Sequence, residues 1–253
     1  MSVRAAALWS SLAGVLLALL APVSKVAAQQ TPSISLSLGA GSGPEQLVPS
    51  LKILAMLTVL SLAPALLISM TSFTRIVVVL SFARQAMGTQ SVPPTQVMVS
   101  LALLLTFVVM TPVGMKVNQA AIVPYTEKRI DEVQAWEAAR VPISEFLLAQ
   151  TREDDLRLFY ELSNTKLPGQ ATDVAIHLLV PAFMISELRT GFEMGFLLFL
   201  PFALIDLVVA SLLTAMGMMM LPPTTLSTPL KLLLFVAVDG WALLTRSLVA
   251  SFQ

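Results

Sequence analysis

One acidic residue, Asp206, stands inside the apolar run FLLFLPFALIDLVVASLLTAM. A charge at mid-membrane depth costs about 2.5–3.5 kcal/mol on insertion scales, so Asp206 needs a partner or a watery cavity. The next apolar run carries Lys231, Asp239 and Arg246, spaced eight and seven residues apart. On one continuous helix these three share a face. If the two runs form a hairpin that turns at Pro222-Pro223, Lys231 lies early in the return helix and can reach back toward Asp206. The expectation is an inter-helix ion pair between Asp206 and Lys231, because buried charges are usually paired. The alternative is that each charge meets water or a headgroup independently.

Ahead of that turn stands Met216-Gly217-Met218-Met219-Met220, in a chain with 13 methionines. Methionine is unbranched and polarizable, fills irregular gaps and repacks easily. Met218, Met219 and Met220 are therefore candidates for a deformable seal around a pore. Residue type alone favours plain membrane-core filler. Gly217 and the paired prolines imply irregular backbone, which at this depth requires surrounding protein or a cavity.

The other polar groups point away from catalysis. Arg189 and Glu193 are four apart and suited to pair on a helix; with Glu187 they read as a solvated face. His177, in DVAIHLLV, has no GxSxG nucleophile motif near it and reads as a satisfied or interface histidine. No Walker loop, GxGxxG or HExxH occurs. The chain has no cysteine, which excludes a disulfide scaffold, a Cys-ligated zinc, an iron–sulfur cluster and a thiol nucleophile. A single histidine excludes a His-pair metal site within one chain. The expectation is a non-enzyme with no catalytic residue, metal or cofactor.

The elements that must hold these residues are apolar. Of 253 residues, 56% are hydrophobic and 12% charged, against about 25% charged in a typical soluble domain. Mean hydropathy is +0.83. These values exclude a disordered chain and argue against an ordinary soluble enzyme. Fifteen basic and fifteen acidic residues cancel, so nothing points to nucleic acid. Residues 1–28 carry Arg4, an apolar run from Ala5 to Ala21, and small residues at Val26 and Ala28. This is the layout of a secretory signal peptide cut between Ala28 and Gln29; an uncleaved anchor is the alternative. Residues 29–46 read as a flexible lead, and 47–253 as a membrane-embedded domain.

Four apolar segments follow: Leu47–Met70, Val97–Met115, about Gly191–Leu221, and Leu230–Phe252. Each exceeds the length of about 18 residues at which a membrane helix is the default reading. Residues 116–166 hold seven basic and nine acidic residues, 16 of the chain's 30 charges. Two or three short amphipathic helices are expected there, with Ile130, Val133 and Trp136 on one face, Leu158, Phe159 and Leu162 on another, and Pro142 in a first turn. Residues 71–96 contain Arg75 and Arg84 and no acid, which places that loop in the cytoplasm by the positive-inside rule. The charged region, taken as 116–180, then lies outside the cytoplasm, as do both mature termini. Hydropathy shows that these helices avoid water, and a helix buried in an assembly has the same signature.

Three stretches carry a resemblance: LSLAPALLISMTSFTRIVVVLSFARQAMGTQSVPP at 60–94, VPAFMISELRTGFEMGFLLFLPFALIDLVVASLLTAMGMMMLPP at 180–223, and PLKLLLFVAVDGWALLTRSLVASF at 229–252. With the second apolar segment they cover most of residues 50–253, and the chain resembles the FliP family of flagellar biosynthetic, type III export-gate proteins. The resemblance implies an all-α integral membrane protein built of helical hairpins. Several copies, five in the family, assemble with FliQ and FliR into a helical, conical complex in the bacterial inner membrane, within the flagellar basal body. FlhA and FlhB lie nearby, and unfolded flagellar proteins pass through. It also implies that much of the apparently transmembrane surface is buried between subunits. It maps a methionine-rich pore loop onto Met218, Met219 and Met220, and a charged pair onto Asp206 and Lys231. A secondary transporter for a small solute is the alternative: Asp206 and a helix broken near Pro201 would suit it, but no repeated half is present. An intramembrane hydrolase ranks last, for want of a nucleophile motif.

Overall fold

The computed structural model describes residues 44–89, 91–166, 168–169, 173–218 and 220–252. The signal-peptide reading, the Ala28–Gln29 cut and residues 29–43 of the lead lie outside the described residues, as does Met219. The chain divides into two units, Met1–Thr58 and Val59–Gln253, and each is described by itself.

Every described regular element is helical. Helix α1, Pro44–Ser69, arises from the first apolar segment. Its side chains from Leu51 to Thr58, in the first unit, are exposed. In the second unit α2 spans Phe73–Ala86 and α3 spans Thr95–Val117. A π-helical turn, Asn118–Ile122, joins α3 to the short α4, Val123–Thr126. The wider turn immediately precedes Pro124, which has no N–H to close an α-helical bond with the previous turn. The second apolar segment therefore continues past Met115, as one helical run from Thr95 to Thr126.

The charged block folds as α5, Glu132–Gln150, and α6, Glu153–Leu162. A capping box starts α5: the Gln134 backbone N–H donates to Asp131 Oδ1 at 2.8 Å, and the Asp131 N–H donates to Gln134 Oε1 at 3.1 Å. Pro142 was expected in a first turn, but it lies in the interior of α5. The Asp131 cap, with its polar partner three residues on, marks the start instead. Val133, Trp136, Leu158 and Leu162 are exposed, so neither expected apolar stripe is covered within one chain.

Helix α7, Ile176–Ala215, has 40 residues. At about 1.5 Å per residue it is roughly 60 Å long, about twice the hydrocarbon thickness of a bilayer. It starts well before the expected Gly191. Its first half carries Glu187, Arg189 and Glu193 and joins α5 and α6; its second half is apolar apart from Asp206. The last segment is two helices, α8, Thr224–Ala237, and α9, Gly240–Ala250, bent by 65°. The bend sits at Asp239, whose φ of 50° is left-handed and cannot continue an α-helix. Lys231, Asp239 and Arg246 consequently do not share one face. Among the described residues, two helices are long and apolar enough to cross a membrane, or three if the bent pair is one span.

Three clusters hold the second unit together. Ile76, Val79, Leu80 and Ala83 of α2 pack with Met98, Ala102 and Leu105 of α3 and Leu244 and Leu248 of α9. Leu147 and Tyr160 pack with Val174, Leu179 and Phe183, seating α5 and α6 on the first half of α7. Ala86 and Met87 meet Phe202 and Phe235. Helix α2 packs most extensively on α7. There Gly191 and Gly195, four apart, face α2: a Cβ on Gly195 would fall 2.5 Å from the Phe82 ring, and one on Gly191 would fall 3.1 Å from Val78 Cγ1. Small residues at this spacing let two helices approach closely.

Candidate functional site

The turn between α7 and α8 is built by helix termination. Gly217 has φ 76°. Its N–H donates to the Thr214 carbonyl at 3.0 Å, and the Met218 N–H donates to the Leu213 carbonyl at 2.9 Å. These two bonds form a Schellman cap, which glycine permits because it has no Cβ. Gly217 thus has a local reason for its position, separate from any pore. Pro222 and Pro223 then lead into α8. The cap presents methionines at the tip of a helical hairpin: Met216 is 71% exposed, Met218 37% and Met220 98%.

Below the tip a polar clamp ties the hairpin. Asp206 on α7 accepts from Ser227 Oγ through Oδ1 and from Lys231 Nζ through Oδ2, both at 2.6 Å. Ser227 and Lys231 are four apart on α8 and so lie on one face. Both are buried, whereas Asp206 is partly exposed. Gly88, directly after α2, crowds the same spot: a Cβ there would lie 3.0 Å from Thr228 Oγ1 and 3.8 Å from Lys231 Nζ. The ammonium therefore sits by the C-terminal end of α2, where a cation is favoured. The structure brings Asp206 and Lys231 together and adds Ser227, which the sequence reasoning missed. Its signal was a hydroxyl four residues before the lysine. Asp239 and Arg246 are exposed and stand apart from this clamp.

A second charge cluster lies where α2, α5, α7 and the C-terminal residues converge. Arg75 is 3% exposed and Glu187 0%. Arg75 donates from Nε to Glu187 Oε2 at 3.0 Å and from Nη2 to Glu187 Oε1. Nη2 also reaches Gln150 Oε1 at 3.0 Å, and Nη1 donates to the Ser251 carbonyl and Oγ at 2.9 and 3.1 Å. The guanidinium lies 3.9 Å over the Phe252 ring. All five guanidinium N–H groups are thereby used. Glu187 was expected on a solvated face; it is buried, because α2 supplies a fork-shaped cation opposite it along the Gly191–Gly195 seam. Sequence spacing could not reveal this pair, which is 112 residues apart.

Arg189 and Glu193 do pair, at 3.4 Å and exposed, and Arg152 Nη2 joins Glu193 at 2.6 Å. Ser186 Oγ donates to Asp155 Oδ2 at 2.6 Å and accepts the Arg152 backbone N–H at 3.0 Å, docking α6 on α7. His177 is exposed at the start of α7. Among the described residues, no group of His, Cys, Asp and Glu could hold a metal ion.

Comparison with known proteins agrees with this geometry in extent. The sequence model of the FliP family matches residues 56–248, which includes Asp206, Ser227 and Lys231, the Arg75–Glu187 pair with Gln150, and the methionine tip. The flagellar biosynthetic protein FliP of Bacillus subtilis (strain 168) is 48% identical over 217 residues, covering 86% of this chain and 98% of its own length. That of Caulobacter vibrioides is 47% identical over 244 residues, covering 96% of this chain and 91% of its own length. That of Aquifex aeolicus is 44% identical over 228 residues, covering 88% and 93%. These relatives do not support the solute-transporter alternative. A helical membrane-type chain with this match over most of its length belongs to the FliP family.

Proposed function

We propose that this chain is a core subunit of the flagellar type III protein export gate, and that several copies together enclose the path by which unfolded flagellar proteins cross the bacterial inner membrane. The observation that carries the reading is the α7–α8 hairpin of a FliP-family chain, stiffened by Asp206, Ser227 and Lys231 and tipped with open methionines. Met218, Met219 and Met220, contributed by each copy, close the path as a ring of thioethers. Such side chains seal against ions and still repack around a threading polypeptide, which rigid or branched residues would do less well. The role is structural and conductive, with no catalytic residue and no cofactor. The partners are further copies of this chain, as a pentamer, with FliQ and FliR, and FlhA and FlhB nearby, at the flagellar basal body. Residues 1–28 direct insertion and are removed between Ala28 and Gln29, and the charged region 116–180 faces away from the cytoplasm.

The test replaces Met218, Met219 and Met220 together by alanine in otherwise complete cells. The expected result is ion leakage through particles that still assemble at normal yield. An unchanged ion barrier with assembly intact would refute the seal.

A further inference from the structure

We propose that α9 forms an interface between copies of this chain, in which Arg246 of one copy pairs with Asp239 of the next. The inference rests on the homo-oligomer reading above and deepens it.

Asp239 and Arg246 are both exposed, and among the described residues neither enters an ion pair or a side-chain hydrogen bond. Asp239 stands at the N-cap of α9 and Arg246 lies seven residues on, with exposed Leu243 between them; Leu243 and Arg246, three apart on α9, are on one face. Two helical turns separate the charges by about 10 Å, too far to meet within one chain. Asp239 also occupies the N-cap position of α9 without capping: its backbone is left-handed and its carboxylate bonds none of the first N–H groups. Aspartate at an N-cap ordinarily satisfies one of those donors, so this carboxylate is left free for another group.

Lipid does not suit this face. The α8–α9 pair is apolar enough to count as one broken span. Asp239 stands at that break and Arg246 two turns beyond it, and charges in a membrane are expensive unless met. An aqueous lumen would accept charges of any sign. The opposite signs, one at the start of α9 and one two turns along it, instead match a neighbour displaced along the helix. Each copy then offers Asp239 to one neighbour and Arg246 to the other, a head-to-tail contact that closes into a ring or continues as a helix.

The natural chain has no cysteine, so the D239C/R246C double variant, purified as the assembled particle and oxidised, reports the contact directly. A ladder of dimers, trimers and larger species is expected, with neither single variant cross-linking. A particle of unchanged multi-copy mass with no ladder overturns the interface, as do dimers alone from a single variant. Water-soluble maleimide labelling of R246C in the particle, without cross-linking in the double variant, assigns the face to a lumen and overturns it too. In parallel, D239R and R246D each reduce particle yield about tenfold, and the D239R/R246D combination restores it; unaffected single reversals refute the pairing. Native mass separates the two levels of inference: a single-copy particle removes the homo-oligomer itself, whereas a multi-copy particle without the ladder removes only this contact.

Discussion

Truncating Arg75 tests the idea that one buried guanidinium ties four parts of the chain together. In R75A, Glu187 keeps its burial and loses both bonds from Arg75, while Gln150 Oε1 and the Ser251 carbonyl lose their donor. Removing one partner of a buried pair costs about 3–5 kcal/mol, because the remaining charge stays desolvated. For a chain of this size each kcal/mol lowers the melting temperature by about 2–4 °C, so R75A should melt roughly 6–20 °C lower. The measurement is thermal melting of the purified particle in mild detergent, with membrane abundance beside it. R75K should fall between the two, since three donors cannot replace five and an ammonium has no fork. The R75A/E187A double variant should lose clearly less than the sum of the single variants, with a coupling near the upper end of the usual range of about 0.5–3 kcal/mol. An R75A particle melting within about 2 °C of the natural protein, or strictly additive losses, would show that the cluster is incidental.

Other predictions follow from the same contacts. D206A should cost more than S227A in particle yield, since it leaves the buried Lys231 ammonium without its carboxylate; the D206K/K231D swap should recover part of the yield, and no recovery in that swap would count against a specific pair. G195A should destabilise by about 1–3 kcal/mol through overpacking on Phe82, whereas G114A, with nothing within 4 Å of the added Cβ, should be neutral or stabilise by up to about 1 kcal/mol; equal melting temperatures for the two would undo the close-approach argument. G217A should cost about 1–2 kcal/mol from the left-handed backbone alone, visible in melting without any change in ion conductance if its role is the helix cap.

Much of this protein was legible in its residues. Sparse charge and long apolar runs dictate a helical membrane-type chain, since only internally bonded helices satisfy a backbone deprived of water. The hairpin at Pro222-Pro223 and the reach of Lys231 toward Asp206 follow from local spacing, because helix geometry converts a residue count into a distance. Resemblance in three long stretches already pointed to the family. Tertiary structure decided what local spacing cannot encode. It buried Glu187 against an arginine from α2, bent the last segment at Asp239 so that its charges separate onto two helices, and gave Gly217 a capping role. It also showed that α7 is far longer than a bilayer is thick, with its first half seated against α5 and α6. Each of these depends on which helices meet, and helix packing is set by shape and by pairing across distant parts of the chain, information that a one-dimensional pattern of apolar and charged residues does not contain.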